Sequence, residues 1–175
     1  MNSTELITAL QLSPHVEGGY YRRIYTHPCS VAGTDTKGSA SSQEQPCRSS
    51  QRPLMSSIYY LLGRDRPIGH LHRNRSDILH FFLQGAPLHY TLLWPDGRLQ
   101  HIILGHRIDQ GEQQSLLVPG GVWKASQLVA GEYGLIAEAV CPGFVYEDMT
   151  LATHQYIQDN FPQHLAVLSP LIHSG

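Results

Sequence analysis

The stretch His70-Leu71-His72-Arg73-Asn74-Arg75-Ser76-Asp77-Ile78-Leu79-His80-Phe81-Phe82-Leu83-Gln84-Gly85 decides how this chain is read. Two histidines stand one residue apart. A run follows in which Ile78, His80 and Phe82 alternate with Leu79, Phe81 and Leu83, and a glycine suited to a turn closes it. Side chains two apart on a strand share a face. That parity predicts that His70, His72 and His80 point into one cavity, with Ile78 on the same wall. The pair His70 and His72 suits one metal ion or one polar ligand. In a chain with eleven histidines it suits two surface imidazoles equally well.

Working outward, the pattern is strand after strand. Ile58 to Leu62, Leu88 to Trp94, Arg98 to Leu104, Leu116 to Val118, Val122 to Leu128 and Tyr133 to Val140 are short apolar runs separated by turn residues. Pro95-Asp96-Gly97 marks one turn, and Gly131 predicts a hairpin between the last two runs. This spacing predicts an all-β sandwich or barrel. At the start, Asn2 and Glu5 have the spacing of a capping box before a short helix carrying Leu6 and Leu10. In the tail, Phe161, Leu165 and Leu168 recur at near-helical spacing and are expected to cover one sheet. From Pro28 to Pro53 the composition turns to Ser, Gly, Thr, Gln and Pro, which predicts a long mobile loop within a single domain.

Composition narrows the class. With 175 residues and 41% hydrophobic content the chain is long enough for one domain with a real core. A net charge of −2 with only 15% charged residues offers no basic face for nucleic acid and no polybasic patch for a membrane. No apolar run approaches the roughly 20 residues of a membrane span, and the N-terminus lacks the pattern of a signal peptide. Cys29, Cys47 and Cys141 lack metal-knuckle spacing. Their odd number reads as free thiols in a cytoplasmic protein, with a Cys29–Cys47 bridge as the minor alternative.

Three further motifs stand in order with the two histidines: Pro14-His15-Val16-Glu17-Gly18-Gly19-Tyr20-Tyr21-Arg22, Val118-Pro119-Gly120-Gly121-Val122-Trp123 and Pro142-Gly143-Phe144. Together they resemble a small cupin family of uncharacterised proteins, cupin-5 or DUF985, from about Leu10 to Leu151. The resemblance implies a cupin double-stranded β-helix, a jelly roll with short terminal helices, spanning residues 1–175 as one domain. It also implies a homodimer, which suits the outward apolar row Leu79, Phe81 and Leu83.

Metal-binding cupins place a glutamate in the strand after the two histidines and another histidine after the PxG turn. By that resemblance the glutamate position falls on Ile78 and the last histidine position on Lys124. Only His70 and His72 remain as plausible ligands, with His80 as a third candidate, so a divalent metal is disfavoured and no cofactor is assigned. An ammonium repels a cation and has no lone pair to offer it. A hairpin about Gly131 would set Lys124 directly across from Glu138, which predicts an ion pair at a pocket wall, or two rim charges in solvent.

Three functions fit these residues. The first is a small-molecule-binding cupin running metal-free acid–base chemistry, epimerase- or isomerase-like, on a sugar or related metabolite. Metal-free sugar epimerases of the superfamily set the precedent, by fold analogy. The candidate catalytic groups are His70, His72, His80 and Lys124. The ligand contacts would add Glu138, Tyr59, Tyr90 and Trp123, with Tyr20, Arg22 and Arg73 as further candidates. The second is a metal-dependent oxygenase or isomerase on the histidines. The third is a binding protein without chemistry. No nucleophile elbow, P-loop or dinucleotide fingerprint is present.

Overall fold

The computed structural model describes residues 2–32 and 51–173. After a first helix, α1 (Ser3–Ala9), the strands are β1 (Ser13–Pro14), β2 (Tyr20–Thr26), β3 (Ser30–Ala32), β4 (Gln51–Pro53), β5 (Ser56–Gly63), β6 (Ile68–Asn74) and β7 (Asp77–Gly85). They continue with β8 (Leu88–Leu93), β9 (Leu99–Leu104), β10 (Ser115–Val118), β11 (Trp123–Gln127), β12 (Tyr133–Cys141) and β13 (Met149–Leu151). Two short helices, α2 (His154–Asn160) and α3 (Leu165–Leu168), follow.

Among the described residues, eleven strands build two antiparallel sheets, one ordered β1-β2-β5-β12-β7-β10 and the other β13-β6-β11-β8-β9, and β3 and β4 form a separate two-stranded sheet. Their inner faces close on a core that includes Leu62, Phe82, Leu92, Leu104, Val118 and Ile136. Alternation in β7 explains its place: Ile78, His80 and Phe82 are buried, while Leu79, Phe81 and Leu83 are each about two-fifths exposed on the outer face. The tail packs Ile157 and Leu168 against Leu71, Leu93 and Trp123, so it covers the outside of the second sheet. At the other end, Asn2 and Glu5 complete a reciprocal capping box on α1.

Two expectations are corrected. The runs on either side of Gly131 do not form a hairpin: β11 pairs with β6 and β8, and β12 with β5 and β7, so the chain crosses between sheets at this loop. The polar segment is also paired at both ends, since β3 and β4 run antiparallel with Val31 opposite Arg52. Arg52 is anchored through two nitrogens to Asp148. The middle of that segment, including Cys47, lies outside the described residues, whereas Cys29 and Cys141 are exposed free thiols. Among the described residues no helix is long and apolar enough to cross a membrane.

Candidate functional site

The inner faces of β6, β7, β11 and β12 carry the polar residues of the core. Lys124 stands opposite His72 across β11 and β6, and Glu138 opposite His80 across β12 and β7. The two cross-strand pairs face each other across the sandwich. Lys124 Nζ lies 2.8 Å from His80 Nε2 and 3.6 Å from Glu138 Oε1. All four residues are buried. The expected Lys124–Glu138 ion pair is therefore present but spans two sheets, where the hairpin register had put it within one.

A fifth residue comes from the N-terminal loop, and strand patterns did not single it out. Glu17 is carried by a tight turn in which Gly18 has φ +101° and would place a Cβ only 2.0 Å from the Ile68 carbonyl oxygen. Only glycine lets the backbone come so close. The Glu17 carbonyl accepts from His70 N at 2.6 Å, and the Gly18 carbonyl accepts from the Tyr60 hydroxyl at 3.0 Å. This seats the Glu17 carboxylate with Oε2 at 3.2 Å from His72 Nε2 and 3.5 Å from His15 Nδ1. The readable signal was an acid directly before Gly18-Gly19, two residues after a histidine.

Proton positions follow from the carbonyls. His72 Nδ1 is 2.7 Å from the His70 carbonyl and His80 Nδ1 is 3.3 Å from that of Leu116. A carbonyl only accepts, so each Nδ1 carries the proton and each neutral ring turns its Nε2 lone pair inward. His80 Nε2 has the Lys124 ammonium at 2.8 Å and Glu138 Oε1 at 3.3 Å. His72 Nε2 is buried and, although near Glu17, has no hydrogen-bond partner among the described residues. Asn74 Oδ1 is buried without a partner in the same way.

Burial sets the ionisation. Desolvation lowers the affinity of both His72 and His80 for a proton; Lys124 adds to this, while the facing carboxylates oppose it. Burial pushes the Glu138 carboxyl up, but Lys124 and then His80 outweigh it and hold it far below the ordinary carboxylate range. Glu17 is likewise raised by burial and, on balance, lowered by His72 and His15. Desolvation drives the Tyr60 and Tyr90 phenols well up, which keeps them neutral donors. The interior thus holds two carboxylates, one ammonium and two neutral imidazoles.

Three candidates stand elsewhere than expected. Three steps along β6, Gly69 to His72, answer two along β11, Ser126 to Lys124, so a bulge adds one residue to β6. Gly69 and His72 both face inward, and His70 turns to the tail, with Nδ1 at 3.3 Å from the Leu171 carbonyl and its ring 5.0 Å from that of His173. Trp123 is on the outer face, against Tyr156 and under the Arg73 guanidinium. Tyr59 also points outward, beneath Arg22, and Tyr60 takes the inner position. Tyr90 does line the interior, edge-on to His80 with ring centres 5.3 Å apart.

Space around these groups is small and stepped. A chamber among Glu17, His72, Lys124 and Glu138 has about 10 Å³ for the centres of water-sized molecules. A second, reaching Asn74, Ile78 and Arg23, has about 30 Å³ and shares Glu17 and Glu138 with the first. It meets an open hollow of about 510 Å³ at Tyr21, Arg23 and Phe144.

The metal set implied by the cupin resemblance does not fit these residues. Ile78 offers no donor, His70 faces the tail, and Lys124 Nζ occupies the lone pair of His80. Among the described residues no group of three or more His, Cys, Asp or Glu side chains is disposed to hold an ion.

Comparison with known proteins places this geometry. Residues 4–152 match the model of the family described as Cupin superfamily (DUF985). The uncharacterized protein YML079W of Saccharomyces cerevisiae is 37% identical over 150 residues, covering 83% of this chain and 73% of that protein. A hypothetical protein from Leishmania major superposes with a TM-score of 0.86 at 26% identity, over 99% of this chain and 100% of the other. Protein SO0799 from Shewanella oneidensis does so with 0.82 at 30% identity, over 100% and 99%.

Proposed function

The chain belongs to the DUF985 family of the cupin superfamily, and on that premise we propose that it is a cytoplasmic small-molecule-binding cupin running metal-free acid–base chemistry on a sugar or related hydroxylated metabolite. The observation that carries this reading is His72 Nε2: a buried lone pair, aimed at Glu17, with no donor to satisfy it. A buried acceptor 3.2 Å from a carboxylate is costly until it takes up a proton. A ligand hydroxyl or an acidic C–H supplies one. His72 is then the base and Glu17 stabilises the imidazolium that forms. Lys124, held by His80 and Glu138, is the preorganised cation for an oxygen that gains negative charge. Tyr60, whose hydroxyl donates to the Gly18 carbonyl, and Tyr90 stay protonated and uncharged beside it.

The test is proton exchange in D₂O. Chelator-treated protein incubated with aldoses, ketoses and their phosphates is expected to exchange one carbon-bound hydrogen for deuterium by NMR, and His72→Gln is expected to abolish it. Ligands that bind without exchange would instead support a non-catalytic binding protein. A homodimer belongs to the same proposal. The row Leu79, Phe81 and Leu83, with Leu117 beside it, is an exposed apolar patch on a sheet face, which supports pairing of two copies.

A further inference from the structure

We propose that the ligand is a hydroxylated anion, a polyol or sugar bearing one phosphate or carboxylate, whose hydroxyl end enters the cavity while its anionic group rests against Arg23 at the mouth. The inference rests on the functional reading above and adds the ligand's class and orientation.

Two acceptors of the interior lack donors. His72 Nε2 and Asn74 Oδ1 are buried acceptors without partners, and the Glu17 carboxylate lines the chamber of each. Hydroxyls are what such a surface binds, since each brings a donor to a lone pair. The inner chambers, at about 10 and 30 Å³, take only a few atoms, because a single water already needs roughly 10–15 Å³ on this measure. The rest of any metabolite must remain in the outer hollow.

That hollow is lined by both arginines, and among the described residues neither has a carboxylate partner. Arg23 donates only to the Phe144 carbonyl, at 3.3 Å from each terminal nitrogen, and stacks over the Phe144 ring. Arg22 donates to Gln11 Oε1 at 3.1 Å, and its Nε is buried without a partner. Glu147 also lines the hollow but forms no ion pair with either. The Arg23 guanidinium, with donors to spare next to the narrow entrance, suits an oxyanion bound by charge-assisted hydrogen bonds, and Arg22 on the wall of the hollow adds positive charge. The interior, with its own cation already paired to Glu138, asks for no second anion.

The experiment uses three probes on one carbon skeleton: glycerol 3-phosphate, glycerate and glycerol, titrated calorimetrically into the full chain. At least one of the two anions is expected to bind in the millimolar range and glycerol at least about tenfold more weakly. Which anion binds more tightly tells phosphate from carboxylate. Arg23→Gln is expected to bring the anion down to the level of glycerol, Arg23→Lys to keep part of the difference, and added salt to erode it. Glycerol binding as well as the anions, no measurable anion binding, or unchanged anion binding in Arg23→Gln would each overturn the proposal. Anion binding through Arg23 with no deuterium exchange would leave this inference standing and sink the acid–base chemistry. Exchange on neutral sugars that ignores Arg23 would do the reverse.

Discussion

Lys124 and Glu138 meet across the two sheets, Nζ to Oε1 at 3.6 Å, with each side chain no more than one-tenth exposed. A strand of one sheet is thereby tied to a strand of the other at the centre of the cavity. Lys124→Met would leave Glu138 as an uncompensated buried charge, at a cost of about 3–5 kcal/mol. Pairing it with Glu138→Gln is expected to recover much of that loss. Urea unfolding of the two single variants and the double variant measures the coupling, and additive losses would show that the pair is not coupled.

Acid is expected to destabilise the fold in two stages of the same sign. His72 and His80 bind protons less readily folded than unfolded, so the unfolded chain gains the proton first as pH falls through the ordinary histidine value of 6.5. Glu17 and Glu138 are held below their ordinary value of 4.5, so their contribution is full above it and is lost as pH falls further. Urea midpoints between pH 7.5 and about 5 isolate the histidine stage. His80→Gln should flatten that slope, and an unchanged slope in both His80→Gln and His72→Gln would refute the assignment.

Gly18→Ala should displace the loop that carries Glu17. Its Cβ would collide with the Ile68 carbonyl, whereas Gly111→Ala, at a similar positive φ of +84°, meets nothing within 4 Å. Both variants pay for backbone strain, of order 1 kcal/mol. Only Gly18→Ala adds the steric term. Thermal unfolding should rank Gly18→Ala clearly lower, and equal losses would count against the pinned turn.

Ile78→Glu with Lys124→His should convert the cavity into a metal site. The pair of changes supplies a carboxylate and an imidazole beside His72 and removes the repelling ammonium. Elemental analysis of untagged protein is expected to approach one zinc, nickel or iron per chain in the double variant and to stay near zero in the unaltered protein. Stoichiometric metal in the unaltered protein, lost on His72→Ala, would promote the metalloenzyme reading.

Phe81→Glu should separate the proposed dimer by placing a charge in the middle of the outer apolar row, 41% exposed in the single chain. Light scattering coupled to size exclusion should show a mass near twice 19.5 kDa for the unaltered protein. The variant should run at half of that. A monomeric unaltered protein would end the idea.

The strand pattern of β7, the capping box of Asn2 and Glu5 and the apolar tail were legible from the sequence alone, because each depends on residues a few positions apart along one element. Asn2 meets Glu5 within a single helical turn, and Ile78, His80 and Phe82 share a face by the pleat. What surrounds His72 was not legible in that way. His70 left the cavity because one extra residue bulges from β6 against β11, and a single added residue reverses strand parity. Tyr60 displaced Tyr59 as the inner tyrosine because the pairing of β5 with β2 and β12 decides which face meets the core. Glu17 entered from a turn more than fifty positions upstream of His72, held by contacts with Ile68 and Tyr60 that exist only once the sheets have closed. Lys124 found Glu138 although their strands never pair, since which strands face each other across a sandwich is settled by packing between layers and leaves no periodic mark in either strand.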